Sequence, residues 1–67
     1  MIEDIKPLSE DMFAFKMNDK WGYLDKKLDI VIKPQFAYAG EFKNGISMVQ
    51  IYRKLFNTTY IYYAIIN

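Results

Sequence analysis

Apolar residues in this chain fall in short alternating or β-branched runs, and no window of ten or more residues keeps a helical period. Met12 to Met17 is one such run. Asn18-Asp19 follows it as a two-residue turn signal, because Asn and Asp tolerate the left-handed backbone region. Trp21 to Asp25 then reads as the returning strand. Trp21, Tyr23 and Asp25 share one face; Gly22 and Leu24 share the other. Asp25-Lys26-Lys27 is a polar break, and Leu28 to Lys33 is a β-branched run bounded by Pro34. Proline has no N–H to give a ladder and biases Lys33 towards extended geometry. Phe36 to Phe42 reads as irregular, punctuated by Gly40, with a single helical turn fitting near Ser9 or after Gln35. Ile46 to Tyr52, a turn at Asn57-Thr58-Thr59 and a last strand from Thr59 to Ile66 complete the pass. The pattern predicts an all-β fold, a small meander of about five antiparallel strands in successive hairpins. The predicted core is Phe13, Phe15, Trp21, Tyr23, Leu24, Ile30, Ile32, Phe36, Phe42, Met48, Val49, Ile51, Ile61 and Ile65.

A shift of 34 residues lays one part of the chain on another. Leu8 falls on Phe42, Met12 on Ile46, Ala14 on Met48 and Phe15 on Val49, and Asp11 meets Gly45 at a turn position. In each copy a strand-like run and a polar turn follow, so the spacing is read as an internal repeat. Gly22 beside Trp21 has a physical reading within it. A missing side chain next to a large ring permits a close backbone approach or a bulge, and leaves a gap that a neighbouring indole can cover.

At these residues the chain resembles the WG-repeat family, bacterial β-repeat proteins named for the Trp-Gly pair. Lys20, Trp21, Gly22, Tyr23, Leu24 and Asp25 match the first part of the family pattern. Ile30, Val31, Ile32, Pro34, Gln35 and Phe36 match the second; Ala39, Phe42, Gly45 and Val49 match the third. The motif residues carried over are Lys20, Trp21, Gly22, Tyr23, Pro34, Phe36, Phe42 and Gly45, all as packing positions. Three departures stand out. Leu28 occupies a turn position usually held by Gly, which argues against a tight left-handed turn there. Asp11 stands where the second copy has Gly45. Leu55 and Phe56 fall where a second Trp-Gly is due. Tyr63 to Asn67 restores the pattern of Trp21 to Asp25 after an eight-residue insertion. An insertion of even length adds four residues to each hairpin strand and keeps the facing of every side chain. The chain then reads as one domain, residues 1–67, with a full repeat at about 8–41 and a divergent one at about 42–67. The resemblance implies a β-hairpin array serving as a scaffold or binding surface, with no catalytic residues.

Composition narrows the chemistry. The 67 residues include no cysteine and no histidine, which removes disulfides, thiolate metal sites and the commonest general base. The net charge of +1 gives no overall field for nucleic acid or an anionic membrane, and no cofactor is expected. The start, MIEDIKPL, lacks the apolar stretch of a secretory signal, and the apolar run Tyr60 to Ile66 is far shorter than the roughly 20 residues a membrane helix needs. The cytoplasm is the expected compartment.

The remaining candidates read as structure. Glu3-Asp4 and Glu10-Asp11 are adjacent pairs, whose side chains point to opposite faces of a strand, so neither makes a glycosidase couple. Asp25 and Asp29 flank a lysine turn without calcium-loop spacing, and turn solvation is favoured over a cation site. Ser9 and Ser47 have no histidine and no nucleophile elbow. Arg53-Lys54 beside Tyr52 and Phe56 is too small a basic patch for a single-strand nucleic-acid surface. Tyr60 to Ile66 has high β-propensity and no charge, the mark of an edge that needs a partner. Two functions are carried forward. One is a non-enzymatic interaction module that binds a protein partner or itself through strand edges, with Tyr52, Arg53, Tyr60 and Tyr62 as the interaction surface. The alternative is a carbohydrate or cell-wall-polymer binder using exposed aromatics, Trp21 among them.

Overall fold

The computed structural model describes residues 1–67 as one six-stranded antiparallel sheet with its strands in sequence order. They are β1 (Asp4–Ile5), β2 (Met12–Met17), β3 (Lys20–Asp25), β4 (Ile30–Ala39), β5 (Ser47–Leu55) and β6 (Thr58–Ile66). The fold is all-β, as the alternation predicts, and the expected helical turns are absent. Ser9 begins a tight β-turn, and Gln35 lies within β4.

Tight turns set the hairpins. Asn18 and Asp19 both have positive φ, 52° and 65°, the mirror-image turn that matches strand twist. Glu10-Asp11 and Asn44-Gly45 make the same turn at equivalent repeat positions. Reciprocal backbone bonds close each, Ser9 with Met12 and Lys43 with Ile46. Leu28 adopts φ 69° despite its side chain, so the left-handed turn forms there without glycine. Asp25 supplies the compensation: its Oδ1 accepts from the amides of Lys27 (2.8 Å) and Asp29 (3.0 Å). The last hairpin turns at Phe56-Asn57 rather than Asn57-Thr58-Thr59, because β5 runs on to Leu55, which pairs with Thr58.

β4 differs most from its sequence reading. Pro34 does not end it. The strand continues to Ala39 and takes in most of the segment read as irregular. Between the pairs Trp21↔Phe36 and Tyr23↔Ile32, Gly22 alone faces Lys33, Pro34 and Gln35. This bulge absorbs the proline, whose missing N–H is not needed there. It also presses the β4 backbone onto Gly22. A Cβ on Gly22 would meet the Pro34 nitrogen at 2.8 Å and the Lys33 carbonyl carbon at 2.9 Å, as well as the Ile32 carbonyl oxygen. The gap beside Trp21 is thus filled by β4 backbone, not by another indole.

The bulges coil the sheet, and its concave side holds the core: Ala14, Trp21, Tyr23, Phe36, Ala39, Phe42 and Val49. Tyr23 meets Phe42 edge-on at 5.0 Å and Phe36 at 6.4 Å, the arrangement that ring quadrupoles favour. Phe15 and Leu24 are buried on the convex side of the first hairpin. Four predicted core residues, Ile30, Met48, Ile61 and Ile65, are exposed, while Phe13, Ile32 and Ile51 are half-buried. The reason is facing. Facing passes across the pairs Trp21↔Phe36 and Phe36↔Ile51, so Ile51 and Val49 take the core side and Met48, Ile61 and Ile65 the other, while Ile30 pairs with Leu24 on the convex side.

The repeat is visible in the register. Asp4↔Lys16 and Ile5↔Phe15 recur 34 residues on as Tyr38↔Gln50 and Ala39↔Val49. β1, which the sequence pass missed for its shortness, is therefore the counterpart of the end of β4. Lys16↔Trp21 and Phe15↔Gly22 recur as Gln50↔Tyr63 and Val49↔Ala64. Both strands of the second hairpin are lengthened beyond this point, with the pairing kept.

Gly22→Ala is expected to destabilise the protein by about 1–3 kcal/mol or more, the range for forcing atoms into packed space. Chemical denaturation measures it, and a wild-type midpoint would mean that β4 is free to move off Gly22. Leu28→Gly is expected to stabilise by about 0.5–1 kcal/mol, since relief of the left-handed strain exceeds the added chain entropy. A lower midpoint for this variant would mean that the Leu28 side chain contributes more than its φ costs.

Candidate functional site

The motif residues assemble the interior rather than an open site. Trp21 is 8% exposed, with the ammonium of Lys6 5.1 Å from its ring centroid and Tyr38 tilted against it at 6.3 Å. Lys6 Nζ also donates to the Tyr38 hydroxyl (2.7 Å) and the Ala39 carbonyl (2.8 Å), so residues before β2 clamp the end of β4. Lys20 is exposed at the start of β3, and Pro34 is half-buried in the bulge. Phe36 and Phe42 flank Tyr23 in the core.

Tyr23 is fully buried and its hydroxyl is satisfied. It donates to the Gly40 carbonyl at 2.7 Å and lies 2.9 Å from Ser47 Oγ, which itself reaches the same carbonyl at 2.9 Å. Ser47 therefore serves as a buried polar link between β3, the Gly40 loop and β5. Desolvation raises the Tyr23 pKa above its ordinary 10.0, the Ser47 hydrogen bond works against that rise, and Tyr38 adds to it.

Gly45 lies in the turn that receives Glu10. The Glu10 carboxylate accepts from the amides of Asn44 and Gly45 (2.7 Å for the latter), and Ser9 Oγ donates to the Phe42 carbonyl at 2.6 Å. One repeat turn thus caps the next, a role the sequence reading did not give Glu10. Its signal was present: Glu10 and Asn44 are one repeat apart. Glu3 likewise accepts from the Asp19 amide. These carboxylates hold backbone, and no group of three or more acidic, histidine or cysteine side chains comes together to hold a metal.

The residues predicted as an interaction surface lie on the second hairpin. Tyr52, Arg53, Tyr60 and Tyr62 are all exposed, but they do not share a face. Arg53 pairs with Tyr60 and Ile51 with Tyr62 on one side, where the Tyr60 and Tyr62 rings sit 6.2 Å apart. Tyr52 pairs with Ile61 on the other, because successive strand residues alternate. That second side also carries Met48, Tyr63 and Ile65, all exposed, around an apolar depression of about 430 Å3. Sequence reasoning placed Met48 and Ile65 in the core and left Tyr63 off the surface. Beyond both faces runs the outer edge of β6, nine residues with no charge and no strand beside it.

A family model described as WG containing repeat matches residues 2–21 and 21–54. The two matched segments cover most of the chain, which therefore belongs to the WG-repeat family, one not known as an enzyme family. Neither the search of curated proteins nor that of solved structures found a match.

Tyr23→Phe is expected to cost about 1 kcal/mol at neutral pH, the net value of a buried hydrogen bond. The folded protein holds the Tyr23 proton more tightly than the unfolded chain does. Its contribution is therefore complete below the unfolded value of 10.0 and is lost as pH rises through the folded-state value. Melting temperatures carried into alkali should show the gap between wild type and Tyr23→Phe closing; a constant gap would mean that the hydroxyl titrates normally.

Proposed function

We propose that this WG-repeat chain is a non-catalytic β-repeat scaffold that binds a protein partner, a further copy of itself included. The contact runs through the free edge of β6 and the apolar face beside it. The observation that carries this reading is the uncharged outer edge of Thr58–Ile66, whose backbone groups have no neighbouring strand. Proteins normally blunt such an edge with charge, proline or a covering element, and this edge has none. A partner that adds a strand gains ladder hydrogen bonds there and buries Tyr63 and Ile65. Family membership supports a β-repeat module, and the residue types support a non-catalytic one, since no histidine or cysteine is available.

A second reading, binding of carbohydrate or cell-wall polymer, draws on the exposed Tyr60–Tyr62 pair. Trp21 is buried under Lys6 and lends it no open platform. Oligosaccharides that shift the ring resonances of these two tyrosines in a saturable way would favour that reading.

The interaction reading is tested with a photo-crosslinking residue at Tyr62, on the β6 hairpin, in cells that carry the protein, with irradiated wild type as the background. A discrete protein adduct is expected from position 62. No adduct above background at position 62 would remove the proposal.

A further inference from the structure

The repeat offset relates buried residues of the first hairpin to uncovered residues of the second. Met48 stands at the position of Ala14, Tyr63 at that of Trp21 and Ile65 at that of Tyr23, as the matched strand pairs show. Ala14, Trp21 and Tyr23 are buried, because β4 and β5 fold back over them. Met48, Tyr63 and Ile65 are 49%, 71% and 60% exposed, and all three border the same apolar depression. The second hairpin thus carries a core face that nothing in the 67 residues covers.

The complementary surface is at the other end of the molecule. Val49 and Ile66, on the second hairpin, pack against the core face of the first. Their counterparts on the first hairpin are Phe15 and Leu24, which point to the convex side. Around them Ile2, Ile5, Leu28 and Ile30 are exposed and border an apolar pocket of about 370 Å3. One pairing of such surfaces is already made inside the chain, where Tyr23 on the first hairpin reaches Ser47 on the second.

We infer that the uncovered face of the second hairpin docks on the convex face of the first hairpin of another copy of this chain, head to tail. This rests on the interaction-module reading and names its partner. The sheet itself continues across the contact. β1 is the counterpart of Tyr38–Ala39, so Ile2 is the counterpart of Phe36, which lies opposite Trp21. In the assembled pair β6 of one copy lies beside β1 of the next, and Tyr63 comes opposite Ile2. No side chain lining either apolar pocket is charged, and the Met1 ammonium at the head pocket is exposed. Different surfaces meet, so the association is heterologous and grows as an open chain or closes as a ring.

The test is sedimentation velocity on purified protein with two variants, Ile30→Glu on the head and Ile65→Glu on the tail. Both positions are more than half exposed, and circular dichroism checks that each variant is folded. Wild type should sediment faster as its concentration rises. Each variant alone should stay at the 8.0 kDa monomer, and an equimolar mixture should give a dimer and nothing larger. Cysteine pairs provide a second measurement in a chain that has no cysteine of its own. Ile2→Cys mixed with Tyr63→Cys should form far more disulfide dimer on oxidation than either variant alone. A wild-type protein that stays monomeric at every concentration overturns head-to-tail docking. So does Ile30→Glu associating by itself while Ile65→Glu does not, or Tyr63→Cys crosslinking mainly to itself, since both mark a symmetric β6 contact. A monomeric wild type that still yields the adduct from position 62 in cells leaves the interaction module standing and its partner a different protein.

Discussion

The passage of β4 across Gly22 is the constraint on which the rest of the structure depends. A side chain on residue 22 would collide with backbone, which cannot move aside as a flexible side chain can. With Gly22 in place, three residues of β4 stand opposite one of β3, and the sheet bends sharply at that point. The bend brings Phe36, Phe42 and Val49 over Trp21 and Tyr23 and makes a core from what would otherwise be one open face of a flat sheet. The Trp-Gly pair is thus one device: the glycine lets the chain turn, and the tryptophan fills the hollow that the turn creates. Pro34 belongs to the same device, since a missing donor within the bulge costs no ladder bond.

Much of this was legible in the sequence because it lies in local chemistry. Asn18-Asp19, the alternation in β3 and the repeat spacing each specify their element from a few neighbouring residues. The even insertion before Tyr63 could also be read as two strands lengthened together with their facing kept, and the pairs from Gln50↔Tyr63 to Ser47↔Ile66 have that register. What was not legible depends on how facing is carried from strand to strand by the pairing. An alternating pattern tells which residues share a face within a strand, but not which side of a coiled sheet that face occupies. Met48 and Ile65 have core-like residue types, but the pairs Trp21↔Phe36 and Phe36↔Ile51 carry the core side to Ile51 and Val49 and leave Met48 and Ile65 facing outward. Leu28 is a different case. Its left-handed backbone is unfavourable in itself and is held by the Asp25 carboxylate, a compensation that propensity alone does not register. The proposed surface of Tyr52, Arg53, Tyr60 and Tyr62 was split for the simplest reason, since Tyr52 and Arg53 are adjacent in one strand.

The polar contacts follow the repeat as closely as the apolar ones do. Glu10 spans one repeat to hold the amides of the next turn, and Ser9 spans nearly the same distance to the Phe42 carbonyl. The Ser9-Glu10 turn thus directs a donor and an acceptor at the segment that forms the next repeat turn. Surface ion pairs contribute far less: Lys16–Asp19 and Lys26–Asp11 are exposed, and such pairs are worth about 0–1 kcal/mol. Stability in this chain comes from stacking one repeat on another, through backbone caps at the turns and rings between the hairpins.

That dependence has a consequence for a chain with few repeats. A core of seven buried residues is small, and repeat folds gain stability by adding interfaces between neighbours. The same residue positions that make the first hairpin's core recur in the second hairpin with apolar side chains, although Met48, Tyr63 and Ile65 stay about half exposed or more within a single chain. A surface that served only as a cap would be polar, as terminal repeats in such arrays are. The apolar pattern on the second hairpin is therefore that of an interior repeat, and a stacking surface is the physical condition under which its side chains contribute to stability.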